Sequence, residues 1–230
     1  MSRKKTNGTN GHLAIKSVIP LTDNQRLTFD AFEDEKHLLL HGWAGTGKTF
    51  IALALALKEI IEGMRYSKIF IVRSAVPSRA VGYLPGDLDE KLMIFETPYV
   101  EIVNDLVSRV DGYEVLKTKK MIEFVSTSYL RGITMDNCIV IVDEIQNMQF
   151  HELDTIITRA GKNIRLIMAG DYHQTDLVNG AKMDCLGFME IIRNLKEFQT
   201  IEFTMDDIVR NDLVRSYLIA KEKRSVFQRI

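Results

Sequence analysis

Six short apolar runs punctuate the chain: His37–His41, Lys68–Arg73, Met121–Ser126, Cys138–Asp143, Ile164–Ala169 and Thr200–Thr204. Each has the length of a strand, and the runs are rich in Ile and Val. They are continuous rather than alternating, which is the pattern of strands covered on both faces. Segments with helical spacing separate them, notably Thr49–Glu62 and Asp89–Arg109. Met148–Ala160 predicts a further helix, because Phe150, Leu153, Ile156 and Ile157 fall on one side of it and its Thr and charged residues on the other. Continuous apolar strands divided by helices predict an α/β fold with a mainly parallel sheet flanked by helices.

At 230 residues the chain has room for one compact domain but not for two full-sized ones. Residues 1–12, MSRKKTNGTNGH, read as a polar tail ahead of a single domain over 13–230. Hydrophobic residues at 46% and charged residues at 27% exclude a disordered or fibrous chain. Thirty Lys and Arg against 31 Asp and Glu leave the balance near neutral, so only a local patch could bind nucleic acid. Cys138 and Cys185 have no second cysteine at metal spacing, which predicts buried free thiols in a reducing compartment. The longest apolar run, Ile51–Leu57, falls short of the ~20 residues of a membrane span, and no apolar segment follows the basic start. The expected location is the cytoplasm, with no membrane partner. The terminal KEKRSVFQR reads as a solvated helix end, and the ten methionines as core filler.

Candidate chemistry concentrates at strand ends. Gly42-Trp43-Ala44-Gly45-Thr46-Gly47-Lys48-Thr49 fits G-x-x-x-x-G-K-[ST] at every fixed position, between a strand-like HLLLH and a helical run. Glycines there let successive N–H groups converge on phosphate oxygens, and the following helix adds its positive end. Lys48 would reach the β- and γ-phosphates, and the Thr49 hydroxyl suits Mg²⁺. The apolar strand Cys138–Val142 runs into Asp143 and Glu144. In a P-loop arrangement Asp143 would join the metal shell and Glu144 would polarise the attacking water. After Ile164–Ala169 comes Gly170-Asp171-Tyr172-His173-Gln174, where Gly170 and Asp171 shape a turn and Gln174 could reach the γ-phosphate or the water. His41 and His173 adjoin this region without a partner that would mark proton transfer. His151-Glu152 has no second His at helical spacing and is no zinc protease motif.

These residues resemble the PhoH-like P-loop ATPases, whose RecA-like core is similar to the first motor domain of superfamily 1 helicases. The resemblance spans about Leu21 to Tyr217. It rests on LTDNQ at 21–25, GWAGTGKT at 42–49, IVRSAVP at 71–77, LPGDLDEKL at 84–92, YLRGITMDNCIVIVDEIQN at 129–147, GDYHQTDL at 170–177 and FTMDDIVRNDLV at 203–214. Trp43, Ile145 and Tyr172-His173 depart from the usual pattern without removing a phosphate-site group. The resemblance implies that Gln25 reads the adenine edge, favouring ATP. It also implies that Arg73, Ser74, Thr127, Ser128 and Arg131 contact a nucleic-acid backbone, and that Arg210 is the γ-phosphate arginine, with Arg79 and Arg159 as lesser candidates. A superfamily 1 helicase closes its ATP site between two such domains. A chain with one is therefore expected to form a head-to-tail homo-oligomer, such as a hexameric ring, with ATP at subunit contacts.

The leading expectation is a Mg²⁺-dependent ATPase that couples hydrolysis to remodelling or unwinding of RNA or single-stranded nucleic acid. Two alternatives stand beside it. One is a metal-dependent ribonuclease using Asp87, Asp89 and Glu90, with ATP as regulator. The other is a nucleotide-gated scaffold that turns over slowly.

Overall fold

The computed structural model describes residues 13–63, 65–74, 88–130, 132–171 and 179–227, without side chains at 88–91, 179–184 and 222–227. The expected tail, 1–12, lies outside the described residues. Six strands, β1 (His37–Gly42), β2 (Lys68–Arg73), β3 (Ile122–Ser126), β4 (Cys138–Val142), β5 (Ile164–Gly170) and β6 (Phe198–Phe203), form one sheet in the order β3-β2-β4-β5-β1-β6. Every pairing is parallel. The apolar runs locate all six strands to within two residues. β6 starts earlier than the predicted Thr200 because Phe198 and Gln199 pair with His37 and Leu38, and backbone pairing does not require the apolar run to continue.

Seven helices complete the described fold: α1 (Asp23–Glu33), α2 (Lys48–Lys58, extended by a π-helical turn over Glu59–Gly63), α3 (Leu88–Leu106), α4 (Gly112–Thr118), α5 (Phe150–Thr158), α6 (Asn179–Arg193) and α7 (Asp212–Phe227). Sequence reasoning anticipated α2, α3, α5 and the end of α7, and missed α1, α4 and α6. Two of these carried a readable signal. Thr22 caps α1, its hydroxyl accepting from Gln25 N, and in α6 the buried Cys185, Phe188, Met189 and Ile192 keep helical spacing.

Alternation along the strands divides the core in two. Leu38, Leu40, Ile69, Ile71, Ile139, Ile141, Ile167 and Ile201 pack toward α1, α2, α3 and α4. Leu39, Phe70, Val72, Val140, Val142, Leu166 and Met168 pack toward α5 and α6. A one-residue slip would move every one of these side chains to the other face, and each fully buried Leu, Ile or Val contributes about 1.5–3 kcal/mol, so the register is firmly set. Parity therefore also fixes which face each strand-end polar residue meets. Buried Arg165 enters the first face and donates to the carbonyls of Phe32 and Lys36 at 3.1 and 3.0 Å, which pins the C-terminal end of α1 to β5.

Both cysteines are buried free thiols, and burial pushes Cys138 up to about 12 and Cys185 up to about 11. Among the described residues no helix is long and apolar enough to cross a membrane.

Candidate nucleotide site

All the strands end at one edge of the sheet, and the loop Gly42–Gly47 rises there from β1 into α2. Gly42, Gly45 and Gly47 hold φ of 114°, 77° and 85°, a region that penalises any side chain. Gly42 has a second constraint. A Cβ there would sit 2.1 Å from the Phe203 carbonyl oxygen, because Trp43 N donates to that carbonyl at 3.0 Å. The first glycine of the motif thus lets β6 close against the loop as well as letting the loop turn.

Lys48 is buried, and its Nζ donates to the carbonyls of Gly42 (2.9 Å) and Trp43 (2.6 Å) and to Thr46 Oγ1 (3.3 Å). Burial lowers its pKa from the usual lysine value, while the charges of Asp171, Asp143, Glu144 and Asp207 resist that shift. The Thr49 hydroxyl donates to Asp143 Oδ1 at 3.0 Å, so the two predicted metal residues, 94 positions apart, stand side by side. A hydroxyl and a carboxylate oxygen fit Mg²⁺, which takes few protein ligands and completes its shell with phosphate oxygens and water.

β5 lies between β1 and β4, so a whole strand separates the phosphate loop from the acids. Asp143 is buried and titrates above the usual carboxylate range. Burial is the main cause and the Glu144 charge adds to it; hydrogen bonds from Tyr99 and Thr49 and the charge of Arg73 oppose it. Glu144 occupies the left-handed region at φ 56°, a strained backbone of the kind held at functional sites. Its Oε2 accepts from Gln146 Nε2, and Gln146 Oε1 accepts from Asp171 N at 3.0 Å. Gln146 therefore ties the proposed base to the end of β5.

These groups line a cleft of about 450 Å³ together with Ala44, Arg73, Tyr99 and Arg210. Arg210 belongs to this chain's own cleft. Val209 N donates to Gly45 O at 3.1 Å, and a Cβ at Gly45 would lie 3.0 Å from Arg210 Cγ.

The chain matches the sequence profile described as PhoH-like protein over residues 17–221. It belongs to the PhoH-like family. It is 32% identical over 211 residues to a PhoH-like protein of Bacillus subtilis, covering 91% of this chain and 66% of that protein. It is 31% identical over 199 residues to protein PhoH of Escherichia coli, covering 83% of this chain and 54% of that protein. The chain thus spans between about half and two thirds of these curated relatives. The large terminase of a thermophilic bacteriophage superposes over 85% of this chain and 49% of its own, at a TM-score of 0.50 and 13% identity. That likeness concerns the fold.

Other members of the expected PhoH-like residue set have different surroundings. Gln25 is buried behind the loop, accepting from Leu21 N at 2.7 Å and donating to Thr46 O at 3.0 Å. Both ends of its amide are thus bonded to this chain's own backbone, one of them to the loop. The hydroxyls of Ser74 (3.2 Å) and Thr127 both donate to Glu152 Oε1 of α5, so they face into the protein. Arg73 lies in the nucleotide cleft itself. Arg159 ends α5 at the opposite, amino edge of the sheet, where its carbonyl accepts from Met135 N, so it does not reach this chain's own cleft. Gln174, His173, Arg131, Arg79 and Asp87 lie outside the described residues, as do the side chains of Asp89 and Glu90. His41 is buried with Nε2 3.0 Å from an Arg193 nitrogen.

Sequence reasoning missed two site residues. Tyr99, 1% exposed on α3, donates to Asp143 Oδ2 at 2.9 Å. Its own pKa stands well above the ordinary tyrosine value, through burial first and then the Asp143 charge, which keeps it a donor. No local pattern marks it, since its partner is 44 positions away. Gln146 was within reach, as the residue two beyond the base.

Proposed function

We propose that this protein hydrolyses ATP in the cleft at the end of β1, β4 and β5, with RNA or single-stranded nucleic acid as the polymer it remodels. The observation that carries the reading is the convergence of Lys48, the Thr49–Asp143 pair and Glu144 on one cleft from two strand ends, those of β1 and β4. Backbone amides of 44–49 and Lys48 bind the polyphosphate. Glu144 accepts the proton of a water whose oxygen attacks the γ-phosphorus, while the bond from that phosphorus to the β–γ bridging oxygen breaks. ADP and inorganic phosphate leave. Bound Mg²⁺, held through Thr49 and Asp143, would offset phosphate charge. Arg210, alongside Gly45, supplies a cation toward the terminal phosphate, a role worth roughly 10³–10⁵ in rate where such an arginine acts.

Support for the polymer comes from the family resemblance, and support for a homo-oligomer from α7, which starts beside the loop and exposes Leu213 and Tyr217 at 79% and 64%. The test is ATP turnover measured alone and with RNA, single-stranded DNA or duplex, beside Lys48→Ala and Glu144→Gln. Lys48→Ala is expected to lose nucleotide affinity, and Glu144→Gln to keep it while turnover stops. Stimulation by a single strand, with log affinity falling about 0.7 per phosphate contacted against log salt, supports the polymer; a flat salt response refutes it.

A further inference from the structure

β2 ends at Arg73. Val72 registers with Val142, and Asp143 N donates to Val72 O at 2.9 Å, so Arg73 stands level with Asp143 at the sheet edge. Ile69 and Ile71 pack toward α2 and α3, and parity sends the Arg73 side chain to that same face. Ser74 goes the other way, to α5. The Arg73 guanidinium carbon lies 5.3 Å from the centroid of the Phe95 ring on α3. A face contact of that kind orients the planar group and leaves its N–H donors available.

Arg73 also differs from the two arginines that form ion pairs among the described residues. Arg65 pairs with Glu35 and Glu59, and Arg109 with Asp111. Among the described residues no carboxylate forms an ion pair with Arg73, although Asp143 and Glu144 line the same cleft. Those two acids are held by neutral donors instead: Thr49 and Tyr99 for Asp143, Gln146 for Glu144. The cleft therefore holds a positioned cation that forms no ion pair with its acids, although its charge reaches Asp143, and Arg210 lines the same cleft on the Gly45 side.

We propose that Arg73 is a catalytic residue that donates hydrogen bonds to the terminal phosphate of the bound nucleoside triphosphate, with Phe95 as its platform. This assigns it to the nucleotide in place of the nucleic-acid contact that the family resemblance implies, and it rests on the ATPase reading above. Its interaction exists only while a third phosphate is present and strengthens as charge develops on the transferred group.

The experiment measures binding of fluorescent ATPγS and ADP with Mg²⁺, ATP turnover, and the salt slope of single-stranded RNA binding, on the full chain and on R73Q, R73K and F95L. R73Q is expected to weaken ATPγS about tenfold or more, to change ADP less than about twofold, and to lower kcat by about 10²-fold. R73K should recover part of both losses. F95L should move the same quantities in the same direction by less, and the RNA salt slope should stay unchanged. Equal weakening of both nucleotides, or an unchanged kcat together with a salt slope reduced by about 0.7, overturns the assignment in favour of a structural or polymer-backbone role. Failure of the wild-type chain to bind either nucleotide overturns the ATPase reading, and this inference with it. Thermal melts of each variant separate misfolding from lost contacts, and F95L, which leaves the arginine in place, decides the matter if R73Q does not fold.

Discussion

Two polar clusters stand on opposite faces of the same sheet edge, and they are built differently. In the nucleotide cleft, Lys48 rests on loop carbonyls, Arg73 on an aromatic ring, and the acids on neutral hydroxyl and amide donors. At the end of β3, the Ser74 and Thr127 hydroxyls close onto the single carboxylate of Glu152, which also accepts from Gln149 N at 2.8 Å to cap α5. The second cluster uses its polar groups on itself and acts as a staple between β2, β3 and α5. The first places cations and acids close together without pairing them, which costs stability and is the usual mark of a site awaiting a ligand. Chemistry belongs where charge is positioned but not neutralised.

The severest way to break the contrast is at the backbone. Gly42→Ala would drive a methyl group into the Phe203 carbonyl at 2.1 Å in a left-handed conformation. We expect a loss on the order of 4 kcal/mol or more, seen as a collapse of thermal stability along with nucleotide binding. A variant melting like the wild type would show that β6 need not approach the loop. Next comes Glu144→Gln, expected to cut turnover by roughly 10²–10⁴ while fluorescent nucleotide still binds. Retained turnover would remove Glu144 from the base role.

Tyr99→Phe sharpens the comparison, because it deletes one donor to a buried carboxylate and leaves the ring. It should cost about 1–3 kcal/mol in urea unfolding and raise the Mg²⁺ concentration needed for half-maximal nucleotide binding. A purely structural tyrosine would leave the Mg²⁺ dependence alone. Glu152→Gln probes the staple; about 1 kcal/mol of stability should be lost with basal ATP turnover unchanged. A fall in turnover comparable to Glu144→Gln would erase the distinction between the clusters.

The smallest effect concerns pH. Burial pushes the Asp207 carboxyl up, but donors from Thr22, Asn24 and Thr204 outweigh it and hold the pKa below the ordinary aspartate value. Its folded pKa is therefore depressed, so its stabilising contribution is present above the ordinary aspartate range and is lost as pH falls through it. Asp207→Asn should flatten that acid limb in a melting series from pH 7 to pH 3 by lowering the neutral melting temperature slightly, the two proteins converging at the acid end. An unaltered limb would place the acid sensitivity elsewhere.

The phosphate loop and the six strands were legible because their causes are local. Glycines at 42, 45 and 47 permit a turn that other residues resist, and an apolar run such as Cys138–Val142 has nowhere to go but a doubly covered strand. The pairing of Thr49 with Asp143 followed from the motifs, since each sits at the end of an element whose end was already located. Helices α1 and α6 were readable but overlooked, while α7 spreads its apolar residues around the helix and gives no face to find.

What the sequence by itself determined, then, is which residues can bind phosphate and which segments must become strands, because backbone geometry and side-chain hydrophobicity act over a few neighbouring positions. The tertiary structure alone decided the strand order, the placement of α3 that brings Tyr99 to Asp143, and the separation of Arg73 and Ser74 onto opposite faces. Those outcomes depend on register and on which helix covers which face, and both are settled only when distant segments bury their apolar sides together.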